Sequence, residues 1–411
     1  MACIVEIDNG WLVDNEELLN KWYQRVRSVV NGDKPSAETG WSLVSPSRPQ
    51  TPYFPTSLDA KTHGKRKCRK HAIQPSNPES VEKYLNLLCL YQELVGRDDS
   101  IEYFKICTSQ SQSTKAARYT APCDGLSDLC ELSKLALPAT ETTHEIDLVS
   151  VRCQTDVDIF NNLIVNQSDH PLLLTTFGTS YLIPARCQFL MSDVSYLQPL
   201  IAMKPSCGYN LIVIDPPWGN GSVRRSKRYS CLQYRDLMRM PIKALAARHA
   251  LVIVWTTNHP KHTEFVKNTL FPHWSIDYIS EWHWMKVTTQ GELVIPIESV
   301  HRKPYEPMII GRFNLATEDV SKIAAKKART DKPEIGVNTD DAQIPQNKVI
   351  FSIPTSVHSQ KPILSDVMRQ YLPKDAKCLE LFARNLLPGW TSWGNEVLKF
   401  QNTDLYWKEN K

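Results

Sequence analysis

Residues 211–218 read Leu211-Ile212-Val213-Ile214-Asp215-Pro216-Pro217-Trp218. Four aliphatic residues in a row, three of them β-branched, suit a short buried strand. Two successive prolines cannot donate to a sheet ladder or a helix, so the strand must end at Asp215. The carboxylate is therefore expected on a rigid turn at the carboxyl end of a strand, with Trp218 just beyond it. In an open α/β sheet that edge is where ligands bind.

Strands and helices alternate on both sides of this stretch. Apolar runs at 158–165 and 172–176, then Tyr181-Leu182-Ile183-Pro184 and Phe189-Leu190-Met191-Ser192-Asp193, lead into it. After it, residues 232–238 suggest a helix, and Pro241-Ile242-Lys243-Ala244-Leu245 opens another with proline in its first turn. Residues 250–255 read as a second buried strand, and 260–270 as a helix stopping near Phe271-Pro272. Residues 278–287, 306–313, 348–353, 377–382 and 390–393 read as further strands, with a helix from Lys361-Pro362 to Leu372. This alternation predicts an α/β domain over 151–411. The polar stretch 315–347 interrupts it as a lid or a disordered insert.

Residues 1–150 read differently. Trp11, Leu12, Leu18, Leu19, Trp22, Tyr23 and Val26 predict an amphipathic helix over 10–30. Val81, Tyr84, Leu85 and Leu88 mark one face of a helix over 78–95, widened by Leu87, Cys89 and Leu90. A short helix is expected at 126–137. Residues 33–57 are rich in Ser, Pro and Thr and read as a linker. No catalytic constellation appears, so a mainly helical accessory domain is expected here.

The 411 residues carry a net charge of only +4, so any nucleic-acid binding must come from local patches. Two are visible. Gly64-Lys65-Arg66-Lys67-Cys68-Arg69-Lys70 fits nuclear import, nucleic-acid contact or a solvated loop. Arg224, Arg225, Lys227 and Arg228 closely follow the proline turn and favour contact with phosphates. Eleven cysteines without a CxxC pair argue for reduced thiols, in the nucleus or cytosol, and against a zinc site. No apolar run approaches the roughly 18–20 residues of a membrane span, and no secretory signal is visible.

One chemistry that uses such a proline turn is transfer to the exocyclic amine of a base. The amine of adenine is planar, conjugated and a poor nucleophile. Asp215 can accept one of its N–H bonds. The Pro216 carbonyl, left free by the irregular turn, can accept the other. Together they aim the nitrogen lone pair at an electrophilic methyl group, while an aromatic ring holds the base by stacking. An ordinary proline turn with a surface aspartate is the plain alternative.

Asp215-Pro216-Pro217-Trp218 resembles the DPPW motif of the S-adenosylmethionine-dependent adenine-N6 methyltransferases, most nearly the branch called methyltransferase-like protein four. The similarity covers roughly the last 240 residues, with several motifs in the family's order. It implies a Rossmann-like domain in permuted order. Leu379-Glu380-Leu381-Phe382-Ala383-Arg384-Asn385, after the catalytic strand, resembles the family's ELF[GA]R. Gly394-Asn395-Glu396 resembles its GNQ or GNE. His358-Ser359-Gln360-Lys361-Pro362 resembles its HKP region.

The resemblance implies roles for these residues. Asp215, Pro216, Pro217 and Trp218 would form the catalytic turn, with Trp218 shaping the base pocket and Asp215 also near the cofactor. Lys361 would meet the methionine carboxylate or the substrate edge. Asn395 and Glu396 would meet ribose hydroxyls, with Arg384 nearby. Gln188 and Phe189 resemble positions against the cofactor's adenine, although the family often has Asp where this chain has Gln188. Glu306 resembles a family glutamate near the acceptor base, and a surface charge at a strand start is its alternative. The implied substrate is adenosine in RNA, including 2′-O-methyladenosine of small nuclear RNA such as U2, with DNA adenine as the rival. A catalytically silent nucleic-acid-binding scaffold is a reading from another class. A monomer and a chain working with a partner subunit both stay open.

Overall fold

Leu211, Ile212, Val213 and Ile214 are all buried, because their strand is covered on both faces in a computed structural model of the protein. The structure describes residues 3–28, 40–43, 48, 50, 78–113, 144–150, 157–193, 196–219, 232–299, 302–314, 343–355 and 359–408. Its strands, in chain order, begin with β1 (Cys3–Ile7), β2 (Gly10–Val13), β3 (Arg27–Ser28), β4 (Trp41–Leu43), β5 (Glu145–Asp147) and β6 (Leu163–Val165). Then come β7 (Leu172–Thr176), β8 (Thr179–Ile183), β9 (Gln188–Leu190), β10 (Tyr209–Ile214), β11 (Ala246–Trp255) and β12 (Ile276–Lys286). The last are β13 (Tyr305–Phe313), β14 (Val349–Ser352), β15 (Cys378–Leu381), β16 (Trp390–Trp393) and β17 (Tyr406–Lys408).

Twelve of them form one sheet in the order β1-β2-β14-β12-β13-β11-β10-β15-β16-β9-β6-β5. Its centre, β9, β16, β15, β10 and β11, is parallel throughout. β13 runs against β11 and β12, and β14 and β2 then run along β12. The fold is Rossmann-like and permuted as expected: β15 comes late in sequence yet lies beside β10, Val213 facing Glu380.

The alternation of side chains along β10 divides the core in two. Leu211 and Val213 pack with Leu18, Leu19, Ile363 and Met368 on one face. Ile212 and Ile214 pack with Leu237, Ile242, Phe265 and Phe271 on the other.

The mainly helical accessory domain expected over 1–150 meets a different arrangement. β1 and β2 extend the main sheet, Trp11 pairing with Ile350 of β14. The apolar residues Trp11, Leu12 and Val13 are consecutive rather than helically spaced, so they form a strand. Asp14 then caps helix α1 (Asn15–Trp22), accepting the Glu16 and Glu17 N–H groups. Helices α2 (Pro78–Val95) and α3 (Asp98–Ser113) bury Leu87, Leu90, Leu94, Phe104 and Cys107 against Val5, Leu12, Met285 and Phe351 of the sheet. Neither helix buries its apolar face alone, which is why both lie on the sheet.

Two helices of the α/β domain differ most from the expected bounds. The helix expected to stop near Phe271-Pro272 continues as Pro260–Phe265, a π turn at Val266–Leu270, and Phe271–His273. The widened π turn precedes Pro272 where its missing N–H would otherwise interrupt the ladder. The helix expected over 361–372 spans only Ser365–Arg369, because Pro362 disfavours helical geometry at Lys361. Arg224, Arg225, Lys227, Arg228, residues 64–70, the helix at 126–137, most of 33–57 and residues 315–342 lie outside the described residues. Among the described residues, no helix is long and apolar enough to cross a membrane.

Candidate active site

The register of the parallel strands sets one edge. Val254, Ile214, Leu381, Trp393 and Leu190 lie side by side across β11, β10, β15, β16 and β9. The residues that follow them therefore emerge together at the carboxyl edge of the sheet. Asp215 is the first beyond β10, and its N–H still reaches the Leu381 carbonyl at 3.3 Å. The two prolines then end the ladder.

The Pro216 carbonyl is not left free, contrary to expectation. The turn closes on itself, and the Trp218 N–H donates to that oxygen at 2.8 Å. A carbonyl has two lone pairs, so a second donor can still be accepted. The Pro217 carbonyl accepts the Leu232 N–H at 3.3 Å.

Asp215 is nearly buried and lies in the middle of an alternating row of charges. Arg384 Nη1 donates to its Oδ2 at 2.8 Å, and Lys361 Nζ lies 3.4 Å from its Oδ1. Lys361 also donates to Glu306 Oε2 at 2.6 Å, and Lys286 pairs with the other Glu306 oxygen. On the opposite side, Arg384 Nε lies 3.4 Å from Glu396 Oε2, and Lys399 Nζ 3.1 Å from Glu396 Oε1. The row thus runs Lys286, Glu306, Lys361, Asp215, Arg384, Glu396, Lys399. Glu306 is thus paired with two cations in this row and is not a solvated surface charge at a strand start.

The energetics match this geometry. Burial alone would raise the Glu306 carboxyl, but Lys361 and Lys286 hold it at about 2. Burial opposes the charge on Lys361, yet Asp215 and Glu306 keep its ammonium above the ordinary lysine value. Glu380, one position before the end of β15, has the opposite fate. Burial and then the Asp215 charge push it up to about 8, which favours its protonated form. It lines a small pocket with Val213, Trp255, Lys361, Asn385 and Trp390.

Trp218 forms a fixed wall. It is 7% exposed, and its indole N–H donates to the Trp255 carbonyl at 2.7 Å. Its ring stacks on His262, with centroids 4.6 Å apart and planes within 17°. Burial, then His259, lowers the His262 pKa, so this imidazole is neutral at neutral pH. Tyr234 meets Trp218 edge-on, stacks on Phe265 at 3.9 Å and is 38% exposed. It is the accessible aromatic face beside the turn.

The cofactor-side residues divide. Arg384 and Glu396 meet because the loops after β15 and β16 approach closely. Gly394 makes that possible: a Cβ there would lie 2.7 Å from the Ala383 carbonyl oxygen. Asn395 stands in the same loop, half-buried, beside Glu396. Glu396 is committed to two cations, so its first role is to hold Arg384.

Gln188 and Phe189 do not reach this edge. Gln188 is two residues back from the edge row, and its amide donates to the Thr391 hydroxyl at 2.6 Å. Phe189 is fully buried in the core below β7 and β8. β9 ends at Leu190, so Ser192 and Asp193 are the polar residues it delivers to the edge. Ser192 accepts the Trp393 indole N–H at 2.8 Å.

Lys286 and Glu380 thus stand in or beside the charged row and Tyr234 beside the turn, and motif reading missed all three. Lys286 and Tyr234 carry no local signal, being a charge at a strand end and an aromatic on a short helix. Glu380 does stand in a stretch legible as a strand, and strand register was the missing information.

Residues 209–396 match the sequence model of the family described as MT-A70. The human N(6)-adenine-specific methyltransferase METTL4 is 41% identical over 301 residues, 72% of this chain and 61% of that protein. The N6-methyladenosine RNA methyltransferase MTA1 of Pyricularia oryzae is 32% identical over 230 residues, covering 54% of this chain and 55% of that one. The DNA N6-methyl methyltransferase of Caenorhabditis elegans is 29% identical over 250 residues, covering 60% and 62%. The chain thus spans less than two thirds of the length of these relatives.

Proposed function

Residues 209–396 form an MT-A70 family domain, and on that premise we propose that the chain is an S-adenosylmethionine-dependent methyltransferase acting on N6 of adenine. The observation that carries this reading is the row of alternating charges centred on Asp215, at the carboxyl edge of the central strand. The donor set fits the cofactor. An amino-acid group needs cations for its carboxylate and an acid for its ammonium, and Lys361, Arg384 and Asp215 offer both within one cluster. Glu396 and Asn395 add polar groups beside Arg384, suited to ribose hydroxyls.

S-adenosylmethionine supplies an electrophilic methyl group when bound. The chain's own residues orient the acceptor. Asp215 accepts one N–H of the adenine amine, and the second lone pair of the Pro216 carbonyl accepts the other. Lys361 and Arg384 fix the plane of the Asp215 carboxylate. The amine proton becomes acidic only as its nitrogen is alkylated, so a weak base at Asp215 suffices. Trp218, pinned to Trp255, excludes water from one side, and Tyr234 offers a stacking face.

We read RNA as the substrate, including 2′-O-methyladenosine of small nuclear RNA such as U2. The RNA-methyltransferase name of the Pyricularia relative supports this; the DNA-methyltransferase name of the nematode relative keeps DNA adenine as the second reading. Arg224, Arg225, Lys227 and Arg228 would contact phosphates, and the cluster at 65–70 would serve nuclear import. The complete row around Asp215 weighs against a silent scaffold, which has no need of it. Mass spectrometry of nucleosides from RNA and DNA, each incubated with protein and labelled cofactor, tests the reading. Label in N6-methyladenosine supports it; label in N6-methyldeoxyadenosine alone moves the substrate to DNA; label in neither removes the activity.

A further inference from the structure

Lys361 joins the two halves of the charged row, yet its backbone belongs to no helix or strand. Residues 361–364 run irregularly before the helix at Ser365–Arg369, and Pro362 has no N–H to give. The Lys361 carbonyl and the Ile363 N–H must therefore find partners elsewhere. Both partners come from one side chain near the start of the chain. Asn15 Nδ2 donates to the Lys361 carbonyl at 3.0 Å, and Asn15 Oδ1 accepts the Ile363 N–H at 2.9 Å. A carboxamide carries one donor group and one acceptor, so it pairs with this strip much as a neighbouring strand would.

Asn15 is itself held in place. It is the first residue of α1, directly after the cap Asp14. One Asp14 oxygen accepts the Glu16 N–H and Arg48 Nη2, each at 2.9 Å, and the other accepts the Tyr103 hydroxyl at 2.7 Å. Arg48 also reaches Glu16 at 2.7 Å. The amide that grips Lys361 thus projects from a helix end fixed by two distant segments, through Arg48 and Tyr103.

We propose that Asn15 is a positioning residue for Lys361: its amide clamp sets the lysine backbone so that the ammonium sits between Asp215 and Glu306. A lysine ammonium ends a flexible four-carbon stem and gains its precision from where the stem begins. Here the stem starts at the clamp and the ammonium lies 5.3 Å from the Trp255 ring centroid. Misplacing a positioning group by about 1 Å can cost on the order of 10²-fold in rate. The catalytic consequence rests on the methyltransferase reading; the clamp itself does not.

The test is Asn15→Asp. This variant keeps the side-chain size, keeps an acceptor for Ile363, and places an acid in the first helical turn, where it is tolerated. It sets a carboxylate oxygen against the Lys361 carbonyl. In the wild-type background we expect kcat to fall about tenfold or more. In a Lys361→Ala background the same change should have little further effect, because its route is already cut. Equal falls in both backgrounds overturn the proposal. A second readout needs no activity: amine-reactive labelling of the full chain, followed at Lys361 by mass spectrometry. The clamp predicts labelling several-fold faster in Asn15→Asp, measured below its melting temperature. Wild-type labelling at Lys361 overturns the proposal, even with a lowered Tm, since Asn15 would then be structural only. If the wild-type protein methylates nothing, the functional reading fails while the labelling still decides the clamp.

Discussion

Arg384 donates from Nη1 to Asp215 Oδ2 at 2.8 Å across 169 residues of sequence. The bond joins the ends of two adjacent parallel strands, β15 and β10, and brings the two best motifs of the chain into one site. Lys361 completes the grip on the other Asp215 oxygen. Asp215 is therefore both the proposed acceptor of the substrate amine and the centre of the charge network, and its variants must be read with both roles in mind.

Asp215→Asn tests the first role. The amide is nearly isosteric and its oxygen can still accept from Arg384, but it brings two new donors to a place built for acceptors. Turnover of labelled oligonucleotide should fall by about 10²-fold or more. Because the substitution also leaves Lys361 and Arg384 with one carboxylate fewer, cofactor affinity by calorimetry should change as well. Near-wild-type turnover would remove Asp215 from the chemistry.

Glu380 gives a pH signature. Its folded pKa, about 8, lies above the ordinary value of 4.5, so the fold favours the protonated form. That contribution is complete below about pH 4.5 and is lost as pH rises through about 8. Glu380→Gln, which stays neutral, should therefore gain stability over wild type as pH rises through this window, by about 1–3 kcal/mol at its upper end. Denaturant melts at pH 5 and pH 8 measure it; a difference independent of pH would mean that Glu380 ionises freely.

Gly394→Ala tests the close approach of the two edge loops. The added methyl would meet Ala383 backbone atoms at 2.7 and 3.1 Å, and backbone cannot swing aside as a flexible side chain does. A stability loss of about 1–3 kcal/mol is expected. Separation of Arg384 from Glu396 should also weaken S-adenosylmethionine binding by calorimetry. A variant with wild-type Tm and affinity would show that the loops need not touch.

The cluster of Arg224, Arg225, Lys227 and Arg228 bears on the nucleic acid alone. Replacing all four with Ser should raise the apparent KM for an oligonucleotide. It should also flatten the salt dependence of binding, by about 0.7 in log–log slope for each phosphate of a single strand that is no longer neutralised. Cofactor affinity should stay at the wild-type level. If oligonucleotide affinity and salt slope both survive, the phosphates are held elsewhere, with residues 65–70 as the next candidate.

Much of the α/β domain was legible because its signals are local. The runs at 172–176 and 390–393 match β7 and β16 to the residue. Each is a short apolar or aromatic stretch bounded by breakers, and neither depends on distant partners for its type. Lys361 and Arg384 were also legible as charges in stretches whose order along the chain could be read, whereas Glu306 had only a resemblance to point to it. The N-terminal part was harder. Trp11, Leu12 and Val13 can begin a helix or fill a strand, and only β14 beside them decides for the strand.

By itself the sequence determined that a strand closes just before Asp215, that prolines make the turn, and that the charged motifs around Lys361 and Arg384 follow in a set order. Those are properties of neighbouring residues, fixed by backbone sterics and apolar runs. Only the tertiary structure decided that Gln188 and Phe189 stand back from the edge, because that depends on strand register, counted across hydrogen bonds between distant segments. It alone placed Lys286 and Asn15 in the network around Lys361, since hydrogen bonds and ion pairs act over about 3–4 Å of space, whatever the separation along the chain.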